Sequence, residues 1–270
     1  MTEEIRVQRA RTFDEIADLY DRARPQCRDQ LFDDLFALAG MEPSGTDVLE
    51  IGCGTGQATL PLARRGCNVA GVEMGENLAR IARSKVAQYL NVRIVTGRFE
   101  DWDPRGASFD MVFAATSWHW LNPRLRYRKA AEVLRSAGVL AFTSGGHAFP
   151  SGFDPFFTQI HACYSAIGEA RMEWPPPPPG AIPDAAEEIK RSGYFDDVRI
   201  IRRVWVQELT ADEYIDPMST ASDHRLMTTA KREWLFAEMR RLINASPGGR
   251  IQKHTLTILH VAGLAKGFPS

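Results

Sequence analysis

One stretch of ten residues limits the fold of this chain more than any other: VLEIGCGTGQ at positions 48–57. A short, apolar, β-branched segment runs directly into three glycines at alternate positions, and a helical pattern follows. This arrangement is typical of a buried strand in an α/β sheet. Glycine allows a sharp backbone turn and the close approach of a ligand to the main chain. We therefore expect a ligand-binding turn at the carboxyl end of the first strand.

The order of the elements around this segment predicts the fold class. Hydrophobic periodicity predicts two short helices before the glycines, and then strands that alternate with helices up to about residue 145. Such alternation indicates an α/β protein with a doubly wound, mainly parallel sheet and helices on both faces. The predicted strands are 47–51, 68–72, 91–95, 109–114, 138–142, 198–206 and 255–261.

The length and the later sequence predict the domain organisation. A chain of 270 residues suits one domain with elaborations. We predict a single domain in four parts: an N-terminal helical cap (1–45), a cofactor-binding core (46–145), an inserted lid and acceptor region (146–195), and C-terminal strands and helices (196–270). Five consecutive prolines at 175–179 predict a stiff surface loop within the insertion.

Charge and composition argue against several classes of partner. The net charge is −1, without a basic footprint for nucleic acid or an anionic membrane. The N-terminus is polar, and no apolar run approaches the roughly 18 residues of a spanning helix. The four cysteines and six histidines show no metal-ligand spacing. We expect a cytoplasmic monomer or homodimer with free thiols, no metal, and a small molecule as its partner.

The spacing of the glycines distinguishes between classes of cofactor. The dinucleotide fingerprint requires glycine or alanine at its sixth position. Counted from Gly52, that position is Gln57, and counted from Gly54 it is Thr59. Neither fits, so the ligand of this turn need not be a dinucleotide.

Two carboxylates next to the turn are the other candidates for ligand contacts. Glu50 lies inside a strand that otherwise reads as buried, where an unpaired carboxylate costs several kcal/mol. It therefore either bonds the backbone of the turn or pairs with a cationic ligand. Glu73 closes the second strand, where it could accept both hydroxyls of a ribose. The alternative for Glu73 is a solvated residue at a strand end.

The segment EIGCGTG at 50–56, together with Glu73, resembles the class I S-adenosylmethionine-dependent methyltransferases. This resemblance covers residues 46–145. The segments YDRARP at 20–25 and SWHWL at 117–121 resemble the small-molecule branch that includes trans-aconitate methyltransferase. The resemblance implies methyl transfer from S-adenosylmethionine, with S-adenosylhomocysteine as the product. It also implies a sheet of about seven strands in the order 3-2-1-4-5-7-6, the last one antiparallel.

The resemblance further implies roles for individual residues of the core. The three glycines should line the methionine part of the cofactor, Glu73 should hold the ribose, and Met74 should lie against the adenine. The position after strand three that often holds an acid is Arg98, so we assign the adenine contact to Glu100, with Phe99 against the ring. The full predicted cofactor set is Tyr20, Arg24, Glu50, Gly52, Cys53, Gly54, Gly56, Gln57, Glu73, Met74, Phe99, Glu100 and Ala114.

For some of these residues a purely structural role explains the sequence equally well. Tyr20 could pack in the core, Arg24 could be a surface arginine rather than a partner of a carboxylate, and Ala114 could be an ordinary core residue. A base on the acceptor side is predicted at His119, whose ordinary pKa suits proton removal at neutral pH. A hydrogen bond from its ring to the backbone of its loop is the alternative.

Trp118 and His147 are the residues predicted to contact the acceptor, with packing as the alternative for each. Two other functions remain open at this point. One is a protein that binds the cofactor without catalysis. The other is a nicotinamide-dependent oxidoreductase, which the glycine spacing and Glu50 disfavour.

Overall fold

In the computed structural model, which describes residues 8, 11–24, 26–170 and 173–266, seven strands form one sheet in the order β3-β2-β1-β4-β5-β7-β6. This confirms the predicted α/β fold and strand order. Pro25, the last residue of the YDRARP segment, lies outside the described residues. The strands are β1 (Asp47–Ile51), β2 (Asn68–Glu73), β3 (Val92–Thr96), β4 (Phe109–Ala114), β5 (Leu134–Ala148), β6 (Phe195–Leu209) and β7 (Ile251–Leu264).

Helices connect these strands and begin and end where the sequence favours it. Gly40 ends the second helix in a left-handed conformation, with its N–H directed to the last carbonyls. Thr210 and Glu213 form a capping box at the start of a later helix. The described helices are α1 (Ala17–Ala23), α2 (Asp29–Ala39), α3 (Thr59–Arg64), α4 (Glu76–Val86), α5 (Arg126–Glu132), α6 (Phe156–Ala166), α7 (Ala186–Arg191), α8 (Ala211–Ser219), α9 (Ser222–Arg225) and α10 (Thr229–Ala245).

Parallel pairing brings the functional loops to one edge of the sheet. β1 pairs in parallel with β2 and β4, β2 with β3, and β4 with β5. Because Ile51 is opposite Val72, and Glu50 is opposite Phe113, β1, β2 and β4 end at nearly the same level. The loops after β1, β2, β3 and β4 therefore share the edge where ligands of open α/β sheets bind.

The beginning of β5 differs from the prediction. The sequence predicts this strand only from residue 138 onward. Instead, Leu134 pairs with Phe109, and the guanidinium of Arg135 donates hydrogen bonds to Asp47 and Asp110, each at 2.6 Å. These contacts with neighbouring strands extend β5 toward its amino end, which local periodicity could not reveal.

Alternating side chains of the central strands bury both faces of the sheet. Leu49, Ile51 and Val112 belong to one hydrophobic cluster, while Val48 and Met111 belong to another. Each of these side chains is at most 2% exposed. Burying one contributes about 1.5–3 kcal/mol, so the sheet is the main source of stability for this part of the chain.

The described chain divides into two compact units. The first contains the residues up to 144, then 184–202, and those from 258 onward; the second contains 145–183 and 203–257. This division differs from the predicted segments, because α8 and α10 share a hydrophobic cluster with α6 of the insertion. Its most buried members are Leu235, Met239 and Ile243. None of the described helices has the length and apolar composition needed to cross a membrane.

Candidate functional site

The three glycines after β1 adopt the backbone conformation that the sequence predicts. Gly52, Gly54 and Gly56 have φ values of +67°, +57° and +89°, a region that other residues enter only with strain. Their N–H groups all have partners within the protein. Gly52 donates to the Val72 carbonyl at 2.7 Å, Gly54 to the Glu73 carboxylate at 2.9 Å, and Gly56 to the Cys53 carbonyl at 2.9 Å. None of the three is left to bind a phosphate.

Gly52 also makes room for a protein side chain. A Cβ at this position would lie 2.7 Å from the Cβ of Ser117, which real structures do not tolerate. The Ser117 hydroxyl donates to the Ile51 carbonyl and so joins the turn after β4 to the turn after β1. Ser117 has no predicted role, because nothing in the local sequence indicates this contact.

The Glu73 carboxylate is buried and lies between two backbone donors. Its Oε1 accepts the N–H of Gly75 and its Oε2 accepts the N–H of Gly54, each at 2.9 Å. Burial raises its pKa, and the two hydrogen bonds partly offset this effect. Each oxygen accepts one bond and keeps a further acceptor position, since a carboxylate oxygen has two lone pairs.

The Glu50 carboxylate is only 1% exposed. The hydroxyl of Thr59, at the start of α3, donates to its Oε2 at 2.6 Å. Burial raises the pKa of Glu50 to about 8, and the negative charge of Glu73 acts in the same direction. Within the described part of the chain, no arginine or lysine is paired with this carboxylate. The partner is therefore a hydroxyl rather than the backbone of the turn.

The described N-terminal helix lies against the glycine turn. The ring of Tyr20 is 3.8 Å from the position of a Cβ on Gly54, and the guanidinium of Arg24 lies 5.3 Å from the centre of that ring. Tyr20 is half-buried. Its partial burial raises its pKa, while the charge of Arg24 opposes this rise and that of Glu73 adds to it. Tyr20 and Arg24 are thus beside the turn, as the resemblance implies, while their contact with a cofactor stays a prediction.

Two aspartates without a predicted role attach this N-terminal segment to the core. Asp21 accepts a hydrogen bond from the Thr55 hydroxyl at 2.6 Å and pairs with Lys85 of α4. Asp14 accepts the backbone N–H groups of Asn77 and Leu78, at 2.8 and 3.1 Å, at the start of the same helix. Such bonds satisfy free helix N–H groups. Both contacts join residues more than 30 positions apart, so no local signal indicates them.

The remaining residues of the predicted cofactor set in the turn and after β2 lie near this edge. Cys53 is buried, and Gln57 donates to the Thr55 hydroxyl at 2.6 Å. Met74 is half-buried directly after Glu73. Ala114 is fully buried in a core cluster, so packing alone explains its small size.

The loop after β3 is tied to the rest of the edge through Glu100. Its Oε1 accepts the N–H of Asn122 at 2.9 Å, and its backbone carbonyl accepts from the Lys129 ammonium at 2.7 Å. Phe99 is 3% exposed and packs in the core, with the same ammonium 5.5 Å from its ring centre. The adenine contacts assigned to Phe99 and Glu100 stay predictions.

The turn after β4 carries His119 and a strained backbone. Thr116 has a φ of +55°, which is unusual for a β-branched residue and costs on the order of 1–3 kcal/mol. Its N–H donates to the Thr143 hydroxyl at 2.9 Å. His119 is exposed, and the structure records no hydrogen bond from its ring to the described residues, which disfavours the loop-fixing alternative. Desolvation by its surroundings and the charge of Arg126 lower the pKa of His119, so the ring is neutral at pH 7.

The two tryptophans of this turn have different surroundings. Trp118 is 3% exposed and stacks on Phe142, with ring centres 5.1 Å apart. This favours packing over the predicted acceptor contact, because the indole has no free face. Trp120 is half-buried, and Phe13 lies between it and Tyr20, with ring centres 6.0 and 5.6 Å away. Aromatic side chains of the N-terminal segment and of the turn thus meet beside the glycines.

His147 belongs to the second compact unit. Its ring contacts Phe149 and Phe157, with centres 4.6 and 4.4 Å away. Burial and the charges of Lys253 and His254 lower its pKa to about 3. The acceptor contact assigned to His147 stays a prediction. Within the described ranges, no three histidine, cysteine, aspartate or glutamate side chains form a cluster that could hold a metal ion.

Comparison with known proteins agrees with this geometry. Residues 48–138 match the model of a family described as a methyltransferase domain. An uncharacterized methyltransferase of Mycobacterium tuberculosis is 30% identical over 129 residues, which are 48% of this chain and 50% of the relative. The trans-aconitate 2-methyltransferase of Deinococcus radiodurans is 34% identical over 110 residues, 40% of this chain and 41% of that enzyme. The chain thus spans about half the length of the curated relatives it matches.

The fold also resembles solved structures. One described as a putative type II methyltransferase from Anaeromyxobacter dehalogenans has a TM-score of 0.58 and 21% sequence identity, and the match covers 89% of this chain and 97% of that one. This likeness concerns the fold, while the matched motif residues 50–56 lie within the family model. Residues 48–138 therefore match a methyltransferase domain, in line with the resemblance of the core to the class I S-adenosylmethionine-dependent methyltransferases.

Proposed function

We propose that this protein transfers the methyl group of S-adenosylmethionine to a small-molecule acceptor. One observation carries the proposal: two buried carboxylates, Glu50 and Glu73, flank a glycine turn whose N–H groups all have protein partners. Such a site has hydrogen-bond acceptors to offer, and a bound cation would favour the ionised form of both carboxylates. It suits a ligand that brings a cation and a pair of hydroxyls.

The same observation disfavours the nicotinamide alternative. A dinucleotide brings an anionic pyrophosphate, which binds to free backbone N–H groups at the start of a helix. Here the N–H of Gly54 is directed to the Glu73 carboxylate, and that of Gly56 to the Cys53 carbonyl. A pyrophosphate at this turn would meet carboxylates instead of donors.

The proposed cofactor contacts follow from the positions of the acceptors. Further lone pairs of Glu73 would accept the two ribose hydroxyls. Glu50 would favour the sulfonium and ammonium groups through space by giving up its proton when the cation binds. Tyr20 and Arg24, which lie over the turn, would exclude water from the methionine part. Phe99, Glu100 and Met74 would surround the adenine.

The chemistry requires alignment more than it requires a strong base. The bound cofactor supplies a methyl group that is already activated by its sulfonium. An acceptor atom forms a bond to the methyl carbon as the carbon–sulfur bond breaks, and the site holds the two in line. If the acceptor is a hydroxyl, the neutral ring of His119 can take its proton. An anionic acceptor such as a carboxylate needs no base.

His119 is exposed and neutral in the turn after β4, at the edge of the sheet where ligands bind. A possible base in this position favours catalysis over cofactor binding alone. We propose that the acceptor is a small metabolite, because the sequence has no basic footprint for nucleic acid or an anionic membrane. We also propose that the reaction takes place in the cytoplasm.

Methyl-labelled S-adenosylmethionine tests this proposal. Purified protein is incubated with the small-molecule, protein and nucleic-acid fractions of a cell extract, and the label is followed in each. We expect label in the small-molecule fraction, absent with Gly54→Val. Label in the protein or nucleic-acid fraction would overturn the acceptor class, and no transfer to any fraction would favour a binding protein without catalysis.

A further inference from the structure

Helix α5 has two cationic side chains that bond to different loops of the ligand edge. The Nη1 of Arg126 donates to the Trp118 carbonyl at 2.9 Å, in the turn after β4. The Nζ of Lys129, three residues later, donates to the Glu100 carbonyl at 2.7 Å, in the loop after β3. Both bonds join a charged donor to a backbone acceptor, a strong type of hydrogen bond. One helix therefore holds the two loops by equivalent contacts.

The surroundings of Arg126 fix its orientation. Its side chain is only 11% exposed, and its guanidinium lies 5.4 and 5.3 Å from the ring centres of Trp118 and Tyr127. Its Nη2 pairs with Glu188 of α7. The Tyr127 hydroxyl donates to the same oxygen of Glu188 at 2.9 Å. A planar guanidinium can bond to a carboxylate and a carbonyl at once, whereas an ammonium has no such fork.

The turn that Arg126 holds is the one that presents His119. It is a single 3-10 turn, Trp118–Trp120, closed by the Trp120 N–H donating to the Ser117 carbonyl at 2.9 Å. A turn this short has little internal hydrogen bonding. Its position therefore depends on outside contacts, of which the bond from Arg126 to Trp118 is next to His119.

We propose that Arg126 is a positioning residue for the acceptor side of the site: with Glu188 holding its guanidinium, it fixes the Trp118–Trp120 turn so that His119 faces the acceptor. This inference rests on the proposed function, because the turn needs a fixed position only if an acceptor reacts beside it. It also assigns a role to α7, which is distant in sequence from the glycine turn.

The substitution Arg126→Lys separates the positioning role of Arg126 from the effect of its charge. Arg126→Lys keeps the positive charge but cannot span Trp118 and Glu188, so the turn should loosen and the His119 ring should move away from the cation that lowers its pKa. We expect the pKa of His119, followed by NMR of its ring protons, to rise by about half a pH unit or more. Lys129→Met is the matched control on the same helix, and we expect the pKa of His119 to stay at its wild-type value there.

A second variant, Glu188→Ala, distinguishes electrostatics from positioning, because the two explanations predict opposite changes in the pKa of His119. Glu188→Ala removes a negative charge, which by electrostatics alone lowers the pKa of a nearby histidine. If Glu188 instead holds Arg126 in place, the loosened turn moves His119 away from the guanidinium and the pKa of His119 rises. An unchanged pKa of His119 in Arg126→Lys, or a lower one in Glu188→Ala, would overturn the positioning role.

Calorimetry with S-adenosylhomocysteine distinguishes this failure from that of the proposed function. We expect both the wild type and Arg126→Lys to bind it, because the substitution leaves the glycine turn and Glu73 in place. Circular dichroism melts serve as the control that each variant is folded at the temperature of the measurements. If the wild type does not bind this ligand, the proposed function fails. If it binds and the pKa of His119 is unchanged in Arg126→Lys, only the role of Arg126 is overturned.

Discussion

The carboxylate of Glu73, at the end of β2, accepts the backbone N–H of Gly54 from the neighbouring loop at a distance of 2.9 Å. This bond joins two features that are 19 positions apart in the sequence and that were predicted separately to bind one ligand. It fixes the carboxylate against the turn and uses the N–H that a phosphate would need. The same contact therefore shapes the site and disfavours a dinucleotide.

Removing the charge of Glu73 should weaken cofactor binding. Glu73→Gln keeps one acceptor oxygen but loses the carboxylate, and hydrogen bonds to charged groups contribute about 1.5–3 kcal/mol. We expect the affinity for S-adenosylhomocysteine to fall by roughly tenfold to a hundredfold. Glu76→Gln, an exposed glutamate three residues later, is the control and should bind as the wild type does. Wild-type affinity in Glu73→Gln would contradict the ribose contact.

The buried carboxylate of Glu50 should make stability depend on pH. Its pKa is about 8 in the folded protein and near 4.5 when unfolded, so the folded state holds a proton that the unfolded state releases. The stability of the wild type therefore decreases as the pH rises from about 4.5 to 8. Glu50→Gln lacks this titration, and its advantage in free energy of unfolding should grow by roughly 3 kcal/mol between pH 5 and pH 8. Urea unfolding at several pH values measures this, and parallel curves would refute it.

Binding of a cationic ligand near Glu50 should release a proton. The positive charge favours the ionised carboxylate, so the pKa of Glu50 falls when S-adenosylmethionine binds. Titrations at pH 7 in buffers of different ionisation enthalpy measure the number of protons released. We expect a substantial fraction of one proton for the wild type and none attributable to this site for Glu50→Gln. Equal release by both proteins would show that Glu50 does not sense the ligand.

A side chain at Gly52 should destabilise the protein beyond the strain of its backbone. Gly52 and Gly40 have nearly the same φ, +67° and +66°, but a Cβ on Gly40 has no neighbour within 4 Å. Gly40→Ala thus reports the left-handed strain alone, about 1–2 kcal/mol. Gly52→Ala adds the overlap with Ser117, for a further 1–3 kcal/mol or so. Chemical denaturation compares the two, and equal losses would mean that the Ser117 contact is unimportant.

The parallel part of the fold could be predicted because its signals are local. The strand before Gly52 is short and continuously apolar, and the alternation of strands and helices leaves few topologies. The glycines, Glu50 and Glu73 follow from the same signals, since each lies at a strand end.

The contacts that complete the site could not be predicted in this way. Asp21 bonds Thr55 from 34 positions away, and Arg126 pairs with Glu188 from 62 positions away, and neither residue has a distinctive local pattern. For Trp118, the local sequence predicts a contact that the tertiary packing disfavours. Its position in a loop suggested an acceptor contact, while Phe142 of β5 stacks on its ring and buries it.

The most direct test of the account is calorimetric titration of the purified protein with S-adenosylmethionine, S-adenosylhomocysteine and NADH. We predict binding of the first two in the micromolar range and no binding of NADH. Gly54→Val, which places a branched side chain at a φ of +57° beside Gln57 and Tyr20, should abolish the binding. Binding of NADH alone, or no binding of either sulfur ligand by folded protein, would contradict the central claim.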